Sequence, residues 1–159
     1  MKTLRIALGL TMSLCVSGLL AQGQPKLEIE IQEQKINLTE DEKNGADIVY
    51  APGDTIQYNV IAKNTGSGVM VNPSVVDPVP EGVEYVIDSA RGENCRIVFS
   101  VNNGMRYSVW PVMVAAKTAG GAEIEREAKQ EEVTHIKWLI QENIPAGGQK
   151  DLSFQVVVQ

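Results

Sequence analysis

Tyr50-Ala-Pro-Gly-Asp-Thr-Ile-Gln-Tyr-Asn-Val-Ile-Ala-Lys-Asn64 decides the fold. Pro52-Gly53-Asp54 makes a turn, and Ile56, Tyr58, Val60 and Ala62 then take every second position. A period of two places these side chains on one face of a strand, half-buried against a core. Asn64-Thr-Gly-Ser-Gly68 ends the run with residues that favour turns.

Outward from this strand the same grammar repeats. Residues 27–31 alternate strictly, so Leu27, Ile29 and Ile31 share one face. Residues 37–47 are polar and acidic and read as a loop. Further strands are predicted at 69–76, at Val83 and Tyr85, and at Ile97, Phe99 and Val101. Asn102-Asn103-Gly104 is the strongest hairpin signal, because both central residues tolerate positive φ. Its partner runs from Met105 to Val109. Val112 to Ala116 extends further, Gly120-Gly121 closes an arm with Glu123 to Glu127, and a short helical turn follows near Ala128 to Glu132. Ile136, Trp138 and Ile140 share the face of the next strand. Ile144-Pro-Ala-Gly-Gly148 turns the chain into the cleanest alternation of all, Leu152, Phe154, Val156 and Val158. Short strands without a strong amphipathic helix predict an all-β antiparallel sandwich.

The N-terminus carries a different signal. Lys2 and Arg5 precede an apolar run from Ile6 to Leu20, and Ala21-Gln22-Gly23 offers a cleavage site. This is the pattern of a secretory signal peptide over residues 1–23, cut after Ala21 or Gly23, and it is too short for a membrane span. Cys15 follows Leu14 and not the small residue of a lipoprotein signal. The expected mature chain is one domain over residues 24–159, exported to the periplasm, the outer surface or the medium. No later run is apolar enough to span a membrane as a helix. Losing Lys2 and Arg5 takes the formal charge from −6 to −8. Such a chain is a poor match for nucleic acid or anionic lipid. Cys95 is left without an intramolecular partner. It reads as a buried thiol, with an intermolecular disulfide as the sharper alternative.

In order along residues 27–158 stand Tyr50-Ala-Pro-Gly-Asp-Thr, Asn64-Thr-Gly-Ser-Gly, Val76-Asp-Pro-Val-Pro-Glu-Gly-Val-Glu-Tyr, Trp138, Ile144-Pro-Ala-Gly and a final alternating strand. This series resembles the conserved-repeat domain of bacterial envelope and surface proteins, the family of domain of unknown function eleven. Phe99-Ser-Val-Asn-Asn-Gly and Thr134-His-Ile-Lys-Trp resemble single-domain exported members. The chain departs from tandem relatives in carrying one copy, lengthened at 37–47 and 112–132. The resemblance implies an immunoglobulin-like sandwich with a structural or adhesive role, and it implies no catalytic site.

The residues themselves agree with a non-catalytic reading. His135 is the sole histidine and sits beside the Ile136/Trp138 face, pointing away from it. No Gly-x-Ser-x-Gly elbow is present. One histidine and one mature cysteine do not make a zinc cluster. Asp41, Glu42 and Asp47 lack calcium-loop spacing and read as a solvated acidic loop. No cofactor and no metal are expected. Asp77-Pro78-Val79-Pro80 reads as a stiff crossover whose prolines exclude regular pairing, and as a candidate contact surface at a loop end. Trp110 lies outside clean alternation and joins Asp77, Pro78 and Pro80 as a possible interaction residue. Tyr107, Trp110 and Trp138 could line a groove, although Trp138 also suits a sandwich core. The last strand could lend an edge to another subunit, giving homo-oligomers, or simply complete its own sheet. The expected function is protein–protein contact with envelope or extracellular partners. The alternative is glycan or calcium binding through Trp110 and the acidic loop.

Overall fold

A computed structural model of the chain describes residues 23–159. Residues 1–22 of the expected signal peptide, Cys15 among them, lie outside the described residues. The described chain is mostly β, and all its sheets are antiparallel.

Ten strands follow in chain order: β1 Leu27–Lys35, β2 Thr55–Asn64, β3 Ser74–Pro78, β4 Val83–Tyr85, β5 Arg91–Gly92, β6 Cys95–Ser100, β7 Met113–Lys117, β8 Glu123–Glu127, β9 His135–Ile140 and β10 Gln149–Val158. A four-residue helix, α1 Glu40–Lys43, lies between β1 and β2, and a 3₁₀ turn, Gln130–Glu132, precedes β9. The larger sheet runs β1-β2-β10-β4, with β5 also paired to β10. The smaller sheet runs β3-β9-β6, and β7 and β8 form a separate two-stranded arm.

The alternating patterns explain how the two sheets meet. Ile56, Val60 and Ala62 of β2 and Leu152, Phe154 and Val156 of β10 are buried on one face. Val75 of β3, Phe99 of β6, and Ile136, Trp138 and Ile140 of β9 are buried on the face of the smaller sheet. All of them belong to one core. Trp138 and Phe154 meet with ring centroids 6.0 Å apart, and Tyr85 and Phe99 at 5.2 Å, each pair joining the two sheets. The Trp138 indole N–H donates to the Arg91 carbonyl at 2.9 Å, so the polar end of the largest buried side chain is satisfied.

Several expectations hold. Asn103 and Gly104 have φ of 56° and 77°, as a tight Asn-Gly turn needs. The Gly120-Gly121 arm and the helical turn before β9 form where predicted. Others need correction. The third strand is Ser74–Pro78 and not 69–76; Met70 makes only a single bridge, to Ile144. The partner of β6 after the Asn-Gly turn shrinks to one bridge, Phe99 to Ser108. Pro78 belongs to β3 and faces His135 across the ladder. Its neighbour Val79 donates to the Thr134 carbonyl at 2.9 Å, so odd-numbered residues point their N–H groups at β9. The nitrogen of Pro78 therefore faces the free edge, where no donor is needed. The last strand is not a free edge: β10 is paired to β2 on one side and to β4 and β5 on the other.

Asn64 ends β2 and ties three segments together. Its side-chain oxygen accepts from the Lys26 and Gly66 N–H groups at 3.2 and 3.1 Å. Its amide donates to the Gly68 and Ile144 carbonyls at 2.8 and 2.9 Å. The residue is fully buried, so alanine here strands four backbone groups at once. Asn64→Ala is expected to cost roughly 2–4 kcal/mol in urea unfolding. Asn64→Asp is expected to do no better, because it faces a carboxylate to two carbonyls.

Candidate functional site

The two sheets differ in width, and the difference leaves one surface open. In the ladder between β1 and β2, Ile29 lies opposite Ala62 and Ile31 opposite Val60. Opposed residues share a face. Ala62 and Val60 are 0% exposed, yet Ile29 is 41% and Ile31 52% exposed. The cover supplied by the smaller sheet therefore stops between β2 and β1. Alternation correctly placed Leu27, Ile29 and Ile31 on one face, but that face is buried only in part.

Beside this opening stands Asp77. It is opposite Ile136 in the ladder, so its side chain lies on the core face with Val75 and not out among the loops. It is 8% exposed, and its Oδ2 has no hydrogen-bond partner. Burial pushes its carboxyl above the usual aspartate range, with the charge of His135 opposing. Glu33 stands opposite Tyr58 on the inner face of β1. Burial raises the Tyr58 hydroxyl, and charge on Glu33, Tyr50 and Asp77 adds to the rise.

The other expected site residues do not assemble as one surface. Pro78, Pro80 and His135 line a shallow groove at one end of the sheets with Glu81, Thr134 and Asn103. Neither Asp77 nor Trp110 lines it. Trp110 packs edge-on against Phe99 at 5.7 Å, on the rim of the core. Trp138 is fully buried, and the Tyr107 ring lies under the Lys137 ammonium at 5.3 Å. The three aromatic residues therefore form no common groove. Cys95 is partly buried, its Sγ contacting the Glu93 carbonyl at 3.2 Å, and desolvation pushes the thiol up.

The acidic stretch is also not what its composition suggests. Thr39 caps α1, its hydroxyl accepting from the Glu42 N–H, while the Glu42 carboxylate accepts from the Thr39 N–H at 2.7 Å. Thr39-x-x-Glu42 is a capping-box pattern that was legible in the sequence. Glu42 is not solvated: its side chain is 6% exposed and pairs with Lys35 at 2.9 Å. Lys35 also pairs with Asp54 at 2.9 Å and donates to the Val49 carbonyl at 2.8 Å. Thus the turn that launches β2, the end of β1 and the acidic stretch close on one buried ammonium. Asp41 and Asp47 stay outside this cluster, and among the described residues no three His, Cys, Asp or Glu side chains gather as metal ligands.

No family model, no curated protein and no solved structure matches the chain.

Glu42 is held down to about 2 by the Thr39 N–H, Lys35 and the Val49 N–H, and Asp54 is lowered by Lys35 and the Ala51 N–H. Carboxyls that bind protons less readily when folded stabilise the fold above their ordinary range and lose that contribution as pH falls. The melting temperature is expected to hold above about pH 5 and to drop between about pH 4.5 and 2. Glu42→Gln should flatten part of that drop and lower the midpoint near neutrality. Asp77 has the opposite sign, its raised carboxyl favouring the fold only while protonated. Asp77→Asn is expected to raise the urea midpoint at pH 7 and to leave it unchanged below the ordinary aspartate range.

Proposed function

We propose that this chain is an exported, non-catalytic interaction module of the bacterial envelope, cell surface or medium. In this reading residues 1–23 are a cleaved signal peptide. The remainder is an immunoglobulin-like sandwich related to the conserved-repeat domain that its motif series resembles. Two antiparallel sheets facing each other across one core support the fold part of the reading. The basic, apolar and small-residue order at the N-terminus supports export.

The observation that carries the function is the uncovered inner face of β1. Ile29 and Ile31 stand open beside buried neighbours in the same ladder, next to a free sheet edge. Exposed apolar faces beside unpaired edges are the surfaces on which proteins add a partner strand. The partner is another envelope or extracellular protein, and the acidic charge of the chain disfavours nucleic acid.

A tagged full-length chain expressed in its bacterial host, fractionated and cross-linked in place, tests this. The mature N-terminus is expected at residue 22 or 24, in an exported fraction, with a reproducible cross-linked partner. An uncleaved chain retained in the cytoplasm overturns the reading, as does a mature chain that cross-links to nothing.

A further inference from the structure

We infer that the smaller sheet has a vacant strand position beside β3, above β1, and that it takes an extended partner segment of the pattern apolar-x-apolar-x-basic. The inference rests on the interaction reading above and specifies its site and ligand chemistry.

The position follows from counting strands across the core. Trp138 of β9 sits on Phe154 of β10, and the short β5-to-β6 crossover, with Tyr85 of β4 against Phe99 of β6, puts β6 on the β4/β5 side of the larger sheet. β3, on the other side of β9, then lies over β2. Among the described residues no strand of the smaller sheet lies over β1. A strand added next to β3 fills that place at the usual sheet spacing.

The edge that would receive it is ready. Odd-numbered residues of β3 face β9, so the backbone groups of Ser74, Val76 and Pro78 point to the free side. Val76 is 45% exposed. A segment pairing there gains main-chain hydrogen bonds, and its alternate side chains enter the space over β1.

The lining sets the chemistry of those side chains. Along the inner face of β1, Ile29 and Ile31 offer apolar contact, and Glu33 follows two residues on. At that same end Asp77 turns a buried carboxylate inward with one oxygen unpartnered. Neither cation on this side bonds it: Lys35 is held by Glu42, Asp54 and the Val49 carbonyl, and His135, whose charge acts on Asp77, has its Nδ1 on the Thr134 hydroxyl. Two apolar side chains and then a Lys or Arg, each two residues apart, complement this row. A second copy of the chain is disfavoured by its own acidity.

Synthetic peptides test the assignment on the purified chain. One peptide is Thr-Val-Thr-Val-Thr-Lys-Thr, and its control replaces Lys with Glu. By NMR titration the Lys peptide is expected to perturb amides at residues 29–33 and 74–78 and to bind at least about tenfold tighter than the control. Asp77→Asn should shrink that ratio. Ile29→Lys/Ile31→Lys, which alters only exposed side chains, should abolish binding while the thermal midpoint stays near wild type. Val76→Pro, checked for folding by circular dichroism, should abolish it by removing an edge donor. Perturbation of other surfaces, equal affinity for both peptides, or concentration-dependent self-association blocked by Val76→Pro would each overturn the assignment. A cross-linked partner captured equally by wild type and Ile29→Lys/Ile31→Lys would overturn it too, yet leave the general interaction reading standing.

Discussion

The contact between Trp138 and Phe154 sets where one sheet sits on the other. Both side chains are almost wholly buried, and each belongs to a strand with neighbours on both sides. Once β9 is centred on β10, the rest follows by strand spacing. β6 falls on the side of β4 and β5, β3 falls over β2, and the inner face of β1 is left beyond the reach of the smaller sheet. The indole N–H bonded to the Arg91 carbonyl locks this placement from the polar side as well.

Much of the strand order was legible because alternation and turn chemistry are local. Asn103-Gly104, Gly120-Gly121 and Pro145 to Gly148 mark turns by their own backbone preferences. Leu152 to Val158 could only be a strand covered on one face. Coverage itself was not legible. Ile29 and Val60 follow the same alternation in sequence, and what separates them is how far the opposite sheet extends. Pro78 misled for a related reason: proline forbids a donor, but half of an edge strand's donors are not used.

Charge placement was the least visible part. Lys35, Glu42 and Asp54 lie on three different segments, and only the folded path from β1 through α1 to β2 brings them together. Read singly, Glu42 looks like one acid in an acidic loop and Asp54 like a turn former. Together they explain why a polar stretch after an edge strand keeps a definite path. Asp77 was singled out as a surface residue because of its prolines. The parity of β3 turns it inward instead, beside the open face and away from Pro80.

The pairing of β10 bears on the order in which the chain can acquire its structure. That strand, latest in sequence of the ten, supplies the middle of the larger sheet and touches β2 roughly a hundred residues upstream. Any nascent length that stops before residue 149 holds β2 and β4 with nothing between them. Such far-reaching pairing slows folding. The larger sheet therefore cannot close until almost all of the polypeptide has been synthesised, so its assembly is a late event however early β1 and β2 pair.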